Sequence, residues 1–264
     1  SVSTGGGVPY NGNITHLSIG IKSVIVALMF IAGANYVIVF QIIANKKVLR
    51  SEELRIYLIG FLVVATMLII MQGAKYQFNF EIIFETIFNT ISFLSTTGFY
   101  SNAHFDSSIL FVWLILFFLM FSGSSTGSSG GGMSIYRLIV LVKTLPHYIK
   151  TLIHPHSLIQ VKFNKEVVQL KAINRIYAFF VLYIIIFLLG SILLSVFGFD
   201  FNNAIGFCAA SLSNIGPGVF LLNGNMDLSQ IHLGSKVVLI ILMVVGRIEL
   251  FPFLIFFSKT FWKA

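Results

Sequence analysis

Charge is what this chain has least of: Asp, Glu, Lys and Arg together make up 10% of its 264 residues. Soluble domains carry about 25% charged residues, so the polar surface needed to wrap a globule of this size in water is missing. Cysteine is nearly absent too. Cys208 stands alone, which excludes an intrachain disulfide and any cysteine-based metal cluster. No Met opens the sequence and nothing like a signal peptide follows Ser1, so a fragment or processed piece is expected. No Ser/His/acid set with credible roles is visible, and the chain is not expected to be an enzyme.

What is present is apolar, with 57% hydrophobic residues and a mean hydropathy of +0.93. About five stretches are long enough to cross a bilayer, which takes roughly 20 residues. The net charge of +8 comes from 17 basic against 9 acidic residues, and the basic ones cluster. Lys46, Lys47, Arg50 and Arg55 share one connection; Lys143, Lys150, Lys162, Lys165, Lys171 and Arg175 share another; Lys259 and Lys263 lie at the end. The alternate connections, around 74–107 and 198–235, hold Lys75 alone. The positive-inside rule puts the three basic segments on the cytoplasmic side, so topology accounts for the charge and no nucleic-acid partner is expected.

Residues 23–43 are predicted to span inward and 56–74 outward. The next apolar run, Glu81 to Ser92, would reach only about 18 Å as helix, too short to cross. It must turn back, at Ser95-Thr96-Thr97-Gly98-Phe99. The pattern recurs: 176–199 outward, a short run Asn202 to Leu212, a turn Ser213-Asn214-Ile215-Gly216-Pro217-Gly218, and 237–258 inward. This is a parallel internal repeat of helix, re-entrant hairpin, helix. Val2-Ser3-Thr4-Gly5-Gly6-Gly7 precedes the first helix as the other turns precede theirs, and reads as the turn of an earlier copy. The expected fold is an all-α integral membrane protein of repeated helix, re-entrant pore helix and filter loop, and helix around a central pore. Residues 1–50 would end a second unit, 51–150 form a third and 151–264 a fourth.

A Gly/Ser/Thr turn inside a bilayer leaves backbone carbonyls unpaired, which is tolerated where they line water or replace an ion's hydration shell. For one such motif a small-residue surface turn is the readier explanation; three in register behind half-length helices favour dehydrated monovalent cations. Pore-helix C-termini aimed at the turns would add negative potential. The block Ser122 to Gly132 is made entirely of Gly, Ser and Thr and interrupts an apolar run, so it should face a pore rather than lipid. It is no phosphate loop, since the Gly-Lys-Ser/Thr ending is absent. Arg247 and Glu249 sit inside the last predicted helix, about 200° apart, so Arg247 needs another partner. Pro252 should free the carbonyl of Ile248 and bend the helix there. No other ionisable residue is expected at mid-membrane depth. His154-Pro155-His156 reads as a polar turn, since metal sites need three or four convergent ligands.

These turns, the block ending Gly130-Gly131-Gly132, His154-Pro155-His156, Gly246-Arg247-Ile248-Glu249-Leu250-Phe251 and Phe261-Trp262-Lys263 together resemble the TrkH-type potassium uptake proteins of the Trk/Ktr/HKT superfamily. The resemblance covers essentially the whole chain. Gly7 departs from it where Phe is usual, and Ser134 where Lys often follows the triple glycine. It implies a pore-forming subunit of potassium uptake in the bacterial cytoplasmic (inner) membrane, a homodimer, and a cytoplasmic nucleotide-binding TrkA-type regulator. By motif, Ser3, Thr4, Gly5, Gly6, Thr96, Thr97, Gly98, Asn214, Ile215 and Gly216 would form the K⁺ filter. Gly123, Ser124, Ser125, Thr126, Gly127, Ser128, Ser129, Gly130, Gly131, Gly132 and Arg247 would form the gate. K⁺ would be the transported ion, with no tightly bound cofactor. The alternative is a secondary-active cation-coupled solute transporter.

Overall fold

The computed structural model describes residues 2–7, 14, 17–44, 51–101, 110–154, 160–216, 231–259 and 261–262. Lys46, Lys47, Arg50, Lys263, Pro155, His156, Pro217 and Gly218, all singled out above, lie outside these residues. Two helices are long and apolar enough to cross a bilayer, α3 (Glu52–Tyr76) and α7 (Leu170–Val196). At 1.5 Å per residue they reach about 38 and 40 Å, against roughly 30 Å of hydrocarbon. Ser51 starts α3 by accepting from the Leu54 N–H, and Glu52 and Glu53 follow in the first turn, where the helix dipole favours acids. These polar capping residues carry the helix beyond its expected start at 56.

A half-length helix follows each span: α4 (Phe80–Leu94, 15 residues) and α8 (Phe201–Leu212, 12 residues). The first packs chiefly on α3, the second equally on α7 before it and on the helix that follows. Every residue of α4 from Phe88 to Leu94 is buried, as suits a helix enclosed by others on all sides.

The continuous inner helices expected over 23–43 and 237–258 are both broken. The first is α1 (Ile19–Gly33) followed by α2 (Tyr36–Ala44). Asn35 separates them because its side-chain oxygen accepts from the backbone N–H groups of Val37 and Ile38, at 2.9 and 3.3 Å, capping a new helix. The last is α9 (Leu233–Ile248) followed by α10 (Leu250–Phe256), bent by 108°. Pro252 offers no N–H to the Ile248 carbonyl, so the turn cannot continue, and Glu249 takes a left-handed φ of 68°. Between these lie α5 (Leu110–Ser122) and α6 (Ile135–Ile153), separated by the Gly-rich block. Ser122 itself stays helical, so the irregular segment starts at Gly123.

One small element departs from the all-α expectation. Strands β1 (Lys162–Phe163) and β2 (Glu166–Val167) form an antiparallel hairpin. Its two-residue turn has Asn164 and Lys165 at φ 49° and 69°, the positive pair that a tight hairpin requires.

Two of the four apolar clusters among the described residues enclose the half-length helices. One gathers Phe93 and Leu94 of α4 with Val112 and Leu116 of α5; the other gathers Phe207 and Leu212 of α8 with Leu239 and Leu242 of α9. Packing of α5 on α8 joins them, and Phe121 of α5 meets Phe187 of α7 edge-on at 4.8 Å. Away from the cores, α3 and α7 expose Leu62, Ile70, Leu188 and Ile192, apolar surface that suits lipid rather than water.

Candidate functional site

The two pore helices end alike, bond for bond. After α4, the N–H of Ser95 bonds the Ile91 carbonyl (2.8 Å), Thr96 that of Phe93 (3.2 Å) and Thr97 that of Ser92 (2.9 Å). After α8, Ser213, Asn214 and Ile215 bond Ala209 (2.9 Å), Ser211 (3.2 Å) and Ala210 (3.0 Å) in the same pattern. This is a Schellman ending, whose left-handed position is usually Gly. Here Thr96 and Asn214 occupy it, each at φ 54°, and Gly98 and Gly216 follow two residues on at 75° and 88°. The N-terminal turn matches at Thr4 (56°) and Gly6 (64°) but differs between them, where Gly5 is also left-handed at 90° and Thr97 and Ile215 are not. The backbone itself thus sets the register of all three motifs.

The turns touch one another. Gly5 donates its N–H to the Thr96 carbonyl at 3.4 Å. A β-carbon on Gly98 would lie 1.6 Å from the Ile215 oxygen, and one on Gly216 would lie 2.1 Å from the Gly5 oxygen. Glycine is therefore required at both positions for space as well as for φ. Ser3 lies exposed on the edge of its turn, whereas Thr97 and Ile215 are buried. Tyr183 steadies the last turn from behind, its hydroxyl 3.0 Å from Ser213 Oγ. Gly246 lets α9 cross close by, since a β-carbon there would meet the Leu212 oxygen at 2.1 Å.

The segment Gly123 to Ser134 lies against all three turns. Thr4 Oγ1 donates to the Ser129 carbonyl (3.0 Å), Gly131 donates its N–H to Thr96 Oγ1 (2.9 Å), and a β-carbon on Gly131 would meet the Ser213 oxygen at 2.3 Å. The same segment satisfies the carbonyls left open where α1 stops: Ser125 donates to Gly33 (3.0 Å) and Ser129 to Ala32 (3.3 Å). Ser124 and Ser128 join their hydroxyls at 2.7 Å, and Gly127 gives its carbonyl to the Tyr36 N–H at 3.3 Å. Gly130 leaves no room for a β-carbon beside Ser124 Oγ and Thr96 Oγ1, and Gly132 holds a left-handed φ of 85°.

Two charged residues clamp this segment from opposite sides. Glu53, buried in the first turn of α3, accepts from the Thr126 N–H at 2.7 Å. Arg247, at the end of α9, donates from Nη1 to the Ser129 carbonyl at 2.8 Å. Glu249 turns away to Arg137 at 2.8 Å, and that guanidinium also stacks over Phe179 at 3.9 Å. Among the described residues, no group of three or more His, Cys, Asp and Glu is placed to hold a metal ion.

The TrkH family, described as a cation transport protein, matches residues 75–263. The chain belongs to the TrkH family. A Trk system potassium uptake protein TrkH from Vibrio parahaemolyticus is 28% identical over 94% of this chain and 52% of its own length. The Escherichia coli protein of the same name is 26% identical over 100% of the chain and 55% of its length. The crystal structure of the potassium transporter TrkH from Vibrio parahaemolyticus superposes with a TM-score of 0.81 at 27% identity, covering 99% of this chain and 57% of that one. The chain spans about half the length of the relatives it matches.

One feature of this TrkH-family chain corrects the sequence reading. No ionisable residue beyond Arg247 and Glu249 is expected at mid-membrane depth; Lys22 of α1 and Glu85 of α4 are nonetheless buried together, 6% and 2% exposed, with Nζ 3.5 Å from Oε1. Each lies in an apolar run where hydropathy averages it away; a carboxylate midway along a pore helix was the available signal. The break at Asn35 was also missed, because an Asn that caps a helix inside a continuous apolar stretch leaves hydropathy almost unchanged.

Proposed function

We propose that the chain supplies three filter turns and the gate of a potassium-uptake pore, moving K⁺ across the membrane without covalent chemistry. The observation that carries this reading is one backbone ending shared by the turns after α4 and α8, matched at Thr4 and Gly6 in a third turn that touches both. Turns built this way bring backbone carbonyls close together and leave no room for a β-carbon at Gly98 and Gly216, which suits replacement of a cation's hydration shell. The C-terminal ends of α4 and α8, each worth about half a negative charge, favour a cation at the turns they feed. Gly123–Gly132 is the gate, packed directly against the filter, and Arg247 puts a positive charge beside it. Residues 1–50, 51–150 and 151–264 then belong to successive pore units. The setting is the bacterial cytoplasmic membrane, as a homodimer with a TrkA-type nucleotide-binding regulator, in keeping with relatives named as parts of a Trk system.

The test is rubidium uptake by the gene product as the cell makes it, in cells stripped of other potassium uptake. Saturable uptake that potassium competes away is expected. Protein that reaches the membrane yet passes no monovalent cation would overturn the reading.

A further inference from the structure

We infer that Lys22, Glu85 and Ser101 form a clamp that fixes the outer end of the second filter turn and thereby sets its choice of cation. The inference rests on reading these turns as a filter. Ser101 lies three residues beyond Gly98 and is wholly buried, as is Asn89. Its hydroxyl donates to Glu85 Oε1 at 3.0 Å, and Lys22 Nζ reaches the same hydroxyl at 3.1 Å and the carboxylate at 3.5 Å. Asn89, one helical turn after Glu85 on the same face of α4, holds the Ser101 backbone reciprocally. It accepts from the N–H and donates to the carbonyl, both at 3.1 Å.

The strand is thus tied at both ends. At its start, the Thr97 and Gly98 N–H groups bond the Ser92 carbonyl at 2.9 and 3.3 Å; at its finish, three side chains hold Ser101. Little slack remains for the carbonyls between, which are the ones a cation would meet. Because Lys22 comes from α1, the same clamp ties this strand to the inner helix of the preceding unit.

The repeat itself shows that the clamp is not needed to fold a pore helix. With Ser95 aligned on Ser213, Glu85 corresponds to Asn203 and Asn89 to Phe207. There an aromatic contact, Phe199 edge-on to Phe207 at 5.0 Å, does the packing instead. A buried carboxylate at Glu85, where the matching position of the other pore helix is the uncharged Asn203, marks a demand specific to that unit. Lys22 and Glu85 touch no ion; they act through Ser101, and are positioning residues.

The test compares wild type with Glu85→Gln, Lys22→Met and Ser101→Ala in the complete gene product, measuring rubidium KM, maximal rate and rubidium-over-sodium preference. Each variant should raise KM and erode the preference by about tenfold, with maximal rate moving less, as a site loosened behind its ligands behaves. Lys22→Arg, which keeps the charge and can reach the same oxygens, should restore both. Variants that assemble with unchanged KM and preference would overturn the clamp and leave it a packing joint. If Glu85→Gln fails to assemble, Ser101→Ala decides, since it removes one hydroxyl and leaves the ion pair. A wild type that carries no monovalent cation would instead overturn the filter reading itself.

Discussion

Thr96 and Asn214 carry β-carbons at φ 54°, in a region where L residues are strained by about 1–3 kcal/mol. Strain repeated at the same position of successive turns is held in place by the turn's bonds, and in Thr96 the side chain has a use: Oγ1 accepts from the Gly131 N–H of the Gly-rich segment. At Gly98 and Gly216 no β-carbon fits at all. We therefore expect Gly98→Ala and Gly216→Ala to abolish rubidium uptake even where the protein still reaches the membrane, as followed by uptake and membrane immunoblot together. Arg247 makes the opposite prediction. Replacing it with Gln keeps hydrogen-bond donors for the Ser129 carbonyl and removes the charge, so rubidium uptake should rise, about tenfold for each 1.4 kcal/mol of barrier removed. A fall in uptake with normal assembly would make Arg247 a structural clamp. The glycines and Arg247 were legible because each breaks a local rule: Gly in a tight turn, Arg in an apolar helix. Thr96 and Asn214 were legible only as turn residues, since neither sequence nor spacing reveals a left-handed φ.

Among the elements, the half-length helices were the most legible, because a run too short to cross a bilayer has few alternatives. The inner helices were the least. All three break, at Asn35, after Ser122 and at Glu249, and only two of the breaks carry a visible cause, the Gly-rich block and Pro252. The third depends on a partner far along the chain, the segment whose N–H groups take the carbonyls of Ala32 and Gly33. That segment is held by Glu53 through a bond to a charged group, a class contributing about 1.5–3 kcal/mol, and by Arg247 from the other side. It is a braced plug rather than a loose linker. Deleting Ser128 to Gly130 removes the Ser129 bonds to Thr4, Ala32 and Arg247 together, so uptake should rise above wild type at equal protein level. Unchanged uptake would make the segment a packing device only.

Over the whole molecule, helix packing brings three turns into mutual contact. The parallel repeat was legible in the spacing of acids, short helices and glycines, since every copy solves the same problem of turning back inside a bilayer. The mutual contact of the turns was not, because contacts between units depend on helix packing that hydropathy does not encode. The Lys22–Glu85 pair stayed hidden for the same reason: its partners lie 63 residues apart. Whether these turns bind the permeating cation is tested by a crystal structure of the complete gene product grown with thallium(I), located by anomalous scattering. A peak is expected within about 3 Å of the carbonyl oxygens of Gly5, Thr97 and Ile215. Thallium bound elsewhere in the protein, with no peak between these turns, would contradict it.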